Sequence, residues 1–194
     1  MPIDTTAPLI LASQSPRRKE LLRAITPDFD IVPSHAEEII DPTRNAEENA
    51  SHLAELKAQF VAAHYPDRWV LGADTLVVLG EEIIGKPNDA AHAMEILRSL
   101  SGQAHRVITG VAIVHNEQVF SSATVSHVHI KPLSADAIEK YVATGEPLDK
   151  AGAYAIQGEG AALVQRHEGS YDNIVGLPLD SVRRLLELAK FPAP

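Results

Sequence analysis

The sequence predicts a mixed α/β fold. Segments with the pattern of strands alternate with segments with the pattern of helices early in the chain, and a long antiparallel hairpin follows them. No linker divides the 194 residues, and a hydrophobic fraction of 45% lets a chain of this length bury a substantial core. We therefore expect one domain over residues 1–194.

The first elements are expected to be two short strands and two helices. Leu9–Ala12 is an apolar run typical of a buried strand, and Phe29–Val32 predicts a second strand. Pro16–Ile25 predicts a helix with Ser15 as its N-cap. Proline fits the first helical position, because the N–H group that it lacks would have no partner within the helix. Residues 46–64 predict an amphipathic helix. Its apolar face is expected to contain Leu53, Leu56 and Phe60.

The middle of the chain predicts a hairpin followed by a helix. Trp69–Leu79 and Ile83–Ile84 are apolar strands joined by the turn residues Gly80-Glu81. Asn88 is expected to cap a helix that runs to about Leu100, and Ser101-Gly102 to end it.

A longer hairpin and two helices follow. Val107–Val114 and Val119–Ile130 are strands expected to pair across Asn116-Glu117. A helix is predicted from Ser134 to Gly145, and a final helix over Pro178–Lys190. The Gly-rich segment between these two helices is typical of a functional loop joined to short strands.

Charge and cysteine content exclude several classes of function. With 17 basic and 26 acidic residues the net charge is −9, which disfavours binding to a nucleic acid polymer or an anionic membrane. Without cysteine, disulfides, thiolate catalysis and cysteine zinc sites are excluded. The N-terminus lacks the pattern of a secretory signal, and no stretch approaches the ~18 apolar residues of a membrane span. We expect a cytoplasmic protein.

The segment S-Q-S-P-R-R, residues 13–18, places two hydroxyls and two guanidinium groups at the start of the first predicted helix. Free N–H groups and the helix dipole favour an anion there, and arginine matches the oxygens of a phosphate. The alternative is an ordinary N-cap followed by solvated arginines.

Asp74 interrupts an otherwise apolar strand. An unpaired carboxylate there is costly, so it must contact a cation, a metal or a hydrogen-bond network. Such a carboxylate is a candidate general base or metal ligand, and the alternative is a structural ion pair. Thr75 points to the other face of a regular strand, where β-branched packing is the simpler explanation.

Two lysines also depart from their surroundings. Lys57 shares the apolar face of the second helix, where it either meets a ligand or reaches water past the helix edge. Lys86 follows two glycines in a partial P-loop pattern, but Pro87 stands where a P-loop needs serine or threonine. The sequence therefore disfavours a P-loop, although Lys86 can still reach a phosphate from a strand end.

Three weaker candidates remain. Glu37-Glu38 can supply a metal carboxylate or form a solvated acidic loop, and its spacing favours the loop. Gln157, between Ile156 and Gly158, can read the edge of a base or simply brace its loop. Basic groups combined with a few carboxylates match the composition of a polyphosphate and metal site. The residues alone therefore indicate a phosphate-handling enzyme.

Five blocks of sequence resemble, in order, the Maf nucleoside triphosphate pyrophosphatases, a family named for inhibition of septum formation. The blocks are LASQSPRRKELL, LGADTLVVLGEEIIGKP, LRSLSGQAHRVITGVAIV, GEPLDKAGAYAIQG and GSYDNIVGLPL. They cover about residues 9–188, and the extension MPIDTTAP and the tail FPAP lie outside them.

The resemblance implies hydrolysis between the α- and β-phosphates of a nucleotide, a divalent metal (Mg, Mn or Co) and removal of non-standard nucleotides from the pool. It implies an elongated α/β fold with a mixed sheet, flanking helices and two lobes around a cleft, similar to the inosine triphosphate pyrophosphatases, and a homodimer. G-A-D-T and A-Y-A-I-Q-G resemble the dTTP/UTP branch. The alternatives are the same reaction on 7-methyl-GTP or another modified nucleotide, and a nucleotide-binding regulator of cell division without enzymatic activity.

The resemblance also implies roles for individual residues. Asp74 matches the proton acceptor and a metal position, and Glu37 matches an acidic position near the metal. Positions linked to substrate choice are Arg17, Thr75 and Gln157. Polar and basic positions around the phosphates are Ser13, Arg18, Lys57 and Lys86.

Overall fold

A computed structural model describes residues 9–192, so the N-terminal extension, where the sequence predicts no secretory signal, lies outside the described residues. The strands of this range are β1 (Leu9–Leu11), β2 (Phe29–Ile31), β3 (Val70–Leu79), β4 (Glu82–Ile84), β5 (Ala104–His115), β6 (Gln118–Ile130) and β7 (Val164–Glu168). Its α-helices are α1 (Pro16–Leu22), α2 (Ala46–Ala62), α3 (Ala90–Leu100), α4 (Ala135–Ala143), α5 (Tyr171–Val175) and α6 (Leu179–Leu188). Three 3₁₀ helices cover Glu146–Asp149, Ala151–Ala153 and Gly158–Leu163.

The strands form one mixed sheet in the order β2-β1-β3-β5-β6-β7, with β4 paired to β3. The strand β1 is parallel to β2 and β3, with Leu9 opposite Phe29 and Ile10 opposite Val70. The short β4 is antiparallel to β3, and β7 is antiparallel to β6. This mixed sheet with flanking helices confirms the predicted fold class. None of the helices between residues 9 and 192 is long and apolar enough to cross a membrane.

The chain divides into two compact units, and each unit is built from separate stretches of sequence. The first contains the residues up to Asp74, Thr109–Thr124 and those from Gly176 onwards. The second contains Thr75–Ile108 and Val125–Val175. The prediction of a single domain stays a prediction.

In the first unit, alternate strand residues pack into two different clusters, as expected when successive side chains point to opposite faces. One cluster joins Leu9, Leu11, Leu71, Ala73, Val111 and Ile113 to Leu22 of α1 and to Val182, Leu185 and Leu186 of α6. The other joins Ile10, Val70, Ala112 and Val114 to Ala54, Ala58 and Val61 of α2. Helices therefore cover both faces of the sheet in the first unit. The helices α1 and α6 pack on one face, and α2 packs on the other.

The second unit has its own core. It joins Val107, Val128 and Ile130 of the strands to Ile96, Leu97 and Leu100 of α3 and to Ile138, Tyr141 and Val142 of α4. Ala153, Tyr154 and Leu163 from the Gly-rich segment complete this core. The segment is therefore anchored by apolar side chains, although the turn at Gln157 and Gly158 is exposed.

The predicted turns and helix ends are largely confirmed. Gly80 joins β3 to β4 with φ +61°, and Asn116 and Glu117 join β5 to β6 with φ of 46° and 64°. Positive φ at both central residues is what a tight two-residue hairpin turn requires. Gly102 and Gly145 follow α3 and α4 with φ of 72° and 76°, which ends each helix as expected.

Three local predictions are wrong. The first helix ends at Leu22 rather than Ile25, because the N–H groups of Ala24 and Ile25 bond three residues back in a tightened last turn. The cap of α3 is Asp89 instead of Asn88, since the Asp89 side chain accepts from the His92 N–H. Phe60 is 40% exposed because the small residues of α2, rather than Phe60, face the sheet.

The Gly-rich segment, predicted as a loop joined to short strands, forms 3₁₀ helices and leads directly into the short strand β7. The position of β7 and the helix α5 after it were not predicted. Four of the five residues of β7 are exposed, so the strand carries no alternation of apolar and polar residues to identify it.

Candidate functional site

A buried ion pair between Asp74 and Lys57 forms the centre of the candidate site. The Lys57 Nζ lies 2.6 Å from Asp74 Oδ1 and 2.9 Å from Glu38 Oε2. Lys57 and Asp74 are only 8% and 6% exposed, whereas the Glu38 side chain is 55% exposed. One ammonium group therefore holds two carboxylates, one buried and one open to solvent.

Strand alternation explains how Asp74 reaches α2. Asp74 lies two residues beyond Gly72 and four beyond Val70, and Val70 packs with α2. On α2, Lys57 follows Ala54 by three residues, which is about one helical turn. It therefore lies on the face that contacts the sheet. The only charged residue of β3 and the only lysine of α2 thus meet at the same place.

Two glycines let α2 approach the sheet this closely. A Cβ atom on Gly72 would lie 2.2 Å from the Ala54 carbonyl oxygen, and one on Gly110 would lie 2.0 Å from the Ala50 carbonyl oxygen. Real Cβ atoms do not approach backbone this closely, so both positions require glycine. The short distance between helix and sheet is what brings Lys57 against Asp74.

The loop that carries Glu38 is fastened to α2 by Asn49, which is fully buried. Asn49 Oδ1 accepts from the Asp41 N–H at 2.9 Å, and Asn49 Nδ2 donates to the carbonyls of Asp41 and Arg44 at 3.0 and 3.1 Å. Asn45 then begins α2 with a capping box in which Glu48 takes part. These bonds fasten the chain, three residues after Glu38, to the first turn of α2.

Arg18 and Ser13 adjoin this cluster. Arg18 Nε donates to the Gly176 carbonyl at 2.8 Å, and its Nη1 donates to Ser13 Oγ at 3.3 Å. Burial lowers the pKa of the Arg18 guanidinium, while the carboxylates of Asp74 and Glu38 act to raise it and Arg17 acts to lower it. Arg18 is therefore a cation held beside two carboxylates by fixed oxygen acceptors.

The start of α1 has the predicted cap. The Ser15 side chain accepts from the Arg18 N–H at 3.4 Å, and Pro16 occupies the first helical position. Ser13 Oγ also accepts from the Ser15 N–H at 3.2 Å. Arg17 is half-buried in the same turn. The prediction of Ser15 as N-cap is confirmed, and hydrogen bonds join Ser13, Ser15 and Arg18 into one local group.

Three predicted site residues belong to the second unit. Thr75 follows Asp74 on β3 and is half-buried. Lys86 is exposed just after β4, where Pro87 is buried. Gln157 is exposed immediately before the 3₁₀ helix Gly158–Leu163. The roles that the resemblance implies for these three stay predictions.

Beside Gln157, a carboxylate organises the Gly-rich turn. Tyr141 Oη donates to Glu146 Oε1 at 2.8 Å, and the N–H groups of Glu159 and Gly160 donate to the same carboxylate at 3.1 and 3.0 Å. Burial acts to raise the pKa of Glu146, but these three hydrogen bonds lower it below its ordinary value. Burial raises the pKa of Tyr141, so its hydroxyl keeps the proton that it donates.

The structure distinguishes the two members of the acidic pair and adds one residue that the sequence did not single out. Glu37 and Glu38 are both exposed, and it is Glu38 that contacts Lys57. Asn49 was not predicted at all, because a buried asparagine in a helix has no signature of spacing. Among residues 9–192, no group of three or more His, Asp or Glu side chains is arranged to hold a metal by itself.

Known proteins match this chain over most of its sequence. A family model described as Maf-like protein matches residues 8–189. A dTTP/UTP pyrophosphatase of Bacillus velezensis is 46% identical over 182 residues, which cover 94% of this chain and 96% of the relative. A dTTP/UTP pyrophosphatase of Geobacter sulfurreducens is 49% identical, over 90% of this chain and 92% of the relative.

The fold also matches a solved structure. A HAM1 protein from Coxiella burnetii superposes with a TM-score of 0.54 at 15% identity, over 95% of this chain and 99% of that one. This likeness concerns the fold alone, and it agrees with the mixed α/β class predicted from the sequence. Since the family model and the relatives span nine-tenths of the sequence, the chain belongs to the family of Maf-like proteins.

Proposed function

We propose that this chain is a nucleoside triphosphate pyrophosphatase that hydrolyses dTTP and UTP to the monophosphate and pyrophosphate. One observation carries the proposal: a carboxylate buried in an apolar strand, Asp74, is held by Lys57 with Arg18 and Glu38 beside it. Relatives 46% and 49% identical to this chain that are named dTTP/UTP pyrophosphatase support the choice of substrate.

In this proposal Asp74 accepts the proton of the attacking water. A carboxylate serves as a general base when it is fixed in direction, and the contact with Lys57 fixes Asp74. Arg18 and Ser13 offer one guanidinium and one hydroxyl to the triphosphate, whose negative charge needs cations during transfer. Lys86 is proposed to add a further cation to the phosphates, since it is exposed and free to extend from its strand end.

A divalent cation (Mg, Mn or Co) is part of the proposal, and the donor set fits it. Asp74 and Glu38 share one ammonium group, so their oxygens are within reach of a single cation. Magnesium is commonly bound by one or two carboxylates, with substrate phosphates and water as the other ligands. Such an ion neutralises phosphate charge and lowers the pKa of bound water. Glu37, the acidic residue that the resemblance implies near the metal, is one residue away on the same loop.

Base selection is proposed to involve Gln157, with Arg17 and Thr75 as the other specificity positions. A carboxamide offers a donor and an acceptor together, which matches the alternating carbonyl and N–H edge shared by uracil and thymine. Cytosine reverses part of that pattern, so one buried group would be left unpaired at about 1–3 kcal/mol. Uracil and thymine differ by a methyl group, which a pocket rejects only weakly.

The test is a pyrophosphate-release assay with Mg²⁺, Mn²⁺ or Co²⁺ over dTTP, UTP, CTP, ATP, GTP and 7-methyl-GTP. We expect kcat/KM to be highest for dTTP and UTP, and Gln157→Ala to reduce the ratio of UTP to CTP about tenfold or more. Gln165→Ala changes an exposed glutamine on β7 and is the matched control. A preference for 7-methyl-GTP would favour the second substrate class, and nucleotide binding without hydrolysis would favour a regulator of cell division.

The homodimer and the removal of non-standard nucleotides from the pool are proposed with the same function, and they are supported by the resemblance. A cytoplasmic location is proposed with them. A light-scattering mass twice that of the chain would support the dimer. A protein that stays at the mass of one chain at assay concentration, while fully active, would show that activity does not depend on a partner copy.

A further inference from the structure

The turn that begins at Gln157 is held in place by a carboxylate from a different segment of the second unit. Glu146 Oε1 accepts from Tyr141 Oη at 2.8 Å and from the Gly160 N–H at 3.0 Å. Glu146 Oε2 accepts from the Glu159 N–H at 3.1 Å. Both carboxylate oxygens of Glu146 thus accept hydrogen bonds from the main chain of the turn, and one of them also accepts from Tyr141.

The absence of side chains at two glycines of the turn leaves room for this carboxylate and for the tyrosine bonded to it. A Cβ atom on Gly158, which has φ +67°, would lie 2.5 Å from Glu146 Oε2. A Cβ atom on Gly160 would lie 2.4 Å from the Ala155 carbonyl oxygen and 2.6 Å from Tyr141 Oη. Side chains at these positions would push the carboxylate and the tyrosine away, so the glycines belong to the same arrangement.

Few other contacts hold the start of the turn. Gln157, Gly158 and Glu159 are all exposed, so apolar packing contributes little to their position. The main chain at Glu159 therefore depends on the Glu146 carboxylate, which also accepts from the N–H of the buried Gly160. Lys150 supports the carboxylate's own backbone by donating to the Glu146 carbonyl at 3.0 Å.

We propose that Glu146 is a positioning residue for base selection, because it fixes the turn whose first side chain is Gln157. Glu146 does not touch the nucleotide in this role, and it acts through the direction of the Gln157 carboxamide. The inference rests on the proposed function, in which Gln157 reads the pyrimidine edge. A turn free to shift by a few tenths of an ångström would lose the alignment that separates uracil from cytosine.

The experiment compares Glu146→Gln with Glu159→Gln, using kcat/KM for UTP and for CTP. Glu146→Gln puts an NH₂ group against a backbone N–H and breaks at least one of the three bonds. Glu159→Gln also removes one negative charge, here from the turn itself, but leaves the carboxylate of Glu146 in place. We expect the UTP to CTP ratio to fall about tenfold in Glu146→Gln and to stay at the wild-type value in Glu159→Gln.

Hydrogen exchange of the amides of Glu159 and Gly160 gives a second readout, and it is expected to speed up in Glu146→Gln alone. If Glu146→Gln fails to fold, Glu146→Asp retains the carboxylate one methylene shorter and should keep part of the preference. A wild type that releases no pyrophosphate would overturn the proposed function. A wild type that does, together with a folded Glu146→Gln variant (or Glu146→Asp, if Glu146→Gln does not fold) whose nucleotide preference is unchanged, would overturn the positioning role alone.

Discussion

Asp74 owes its place in an apolar strand to Lys57. Transfer of an unpaired carboxylate into a buried site is costly, and removal of one partner from a buried pair is typically worse than replacement of both. Lys57 is itself buried on the apolar face of α2, so each charge makes the other tolerable. The pair is therefore a feature that the fold maintains at a cost in stability, as expected for a reactive group.

We expect Asp74→Asn to lower kcat by ~10²–10⁴ while the fold stays intact, because the amide cannot accept the proton of water and is close in size to the carboxylate. Pyrophosphate release from dTTP measures the effect, and circular dichroism confirms folding. Asp67→Asn, an exposed aspartate just before β3, is the control and should retain full activity. A folded Asp74→Asn variant with the wild-type rate would rule out the assignment of the base.

Lys57→Met is expected to lower the free energy of unfolding by about 3 kcal/mol, because it leaves Asp74 buried beside Glu38 with no ammonium between them. If both carboxylates can bind a divalent cation, Mn²⁺ should raise the Tm of this variant more than that of wild type. Thermal melts with and without Mn²⁺ measure both effects. Equal shifts in the two proteins would remove these carboxylates from the metal site.

The control for that variant is Lys140→Met, which breaks an exposed ion pair between Lys140 and Asp136, 2.7 Å apart. Exposed pairs contribute little to stability, so its free energy of unfolding should stay within about 0.5 kcal/mol of wild type. A large loss in this control would show that removal of any lysine, rather than the contact with Asp74, destabilises the protein.

Individual residues of the site differ in how far the sequence could predict them. Asp74 and Lys57 stand out because each interrupts a periodic apolar pattern, and the structure places them in contact. Glu38 lies in a loop with no period, so nothing in the spacing distinguishes it from Glu37. Asn49 is identifiable only after the loop it binds has been folded onto α2.

At the scale of elements, the contact of α2 with the sheet depends on the absence of side chains. Gly72 and Gly110 sit under consecutive turns of the helix, against the backbone at Ala54 and Ala50. A helix this close to a sheet needs small residues on its own face too, which explains why alanines, rather than Phe60, line it. The amphipathic pattern predicted the helix correctly but assigned too much of the contact to large residues.

Gly110→Ala is expected to destabilise the protein by about 3 kcal/mol or more, because the new methyl group would lie 2.0 Å from the Ala50 carbonyl oxygen and must push α2 away. The same shift should separate Lys57 from Asp74 and reduce pyrophosphate release. Chemical denaturation and the activity assay measure the two effects.

Gly85→Ala is its control, because a Cβ atom there would have nothing within 4 Å. Its free energy of unfolding should be unchanged or slightly raised, since alanine restricts the unfolded chain. If the two alanine variants were equally stable, close contact between helix and sheet would not be what Gly110 provides.

Elements with strong patterns were predicted well, and elements defined by tertiary contacts were not. The hairpins were found because their turn residues adopt positive φ, as at Asn116 and Glu117. The 3₁₀ helices of the Gly-rich segment have no period of their own, and hydrogen bonds to Glu146 shape the last of them. Sequence patterns reveal local preference, whereas these elements follow from partners distant along the chain.

For the molecule as a whole, a buried histidine links stability to pH. His105 is 2% exposed, its Nε2 lies 2.7 Å from Tyr154 Oη, and its Nδ1 has no hydrogen-bond partner among residues 9–192. Burial, with smaller contributions from His129 and His127, lowers the pKa of His105 to about 4. Burial also keeps the Tyr154 hydroxyl protonated by raising its pKa.

The unfolded chain therefore binds a proton at His105 before the folded protein does. The contribution of His105 to the free energy of unfolding is fully present above the ordinary histidine pKa of about 6.5. It declines by on the order of 3 kcal/mol as the pH falls from there towards 4. His105→Gln should remove this part of the pH dependence, as measured by denaturation between pH 7 and pH 4. The exposed His64→Gln is the control, and parallel pH profiles for the two variants would contradict the account.

The division of the first unit among three stretches of sequence bears on how the protein emerges from the ribosome. Leu9 and Leu11 are synthesised about 170 residues before their packing partners Val182, Leu185 and Leu186. At translation rates of ~5–20 residues per second, β1 waits on the order of ten to thirty seconds for α6. All the segments of the second unit are complete by Val175, so they precede this step. During that interval the nascent chain exposes the apolar side chains of its first strand, and this is when chaperones or aggregation can act on it.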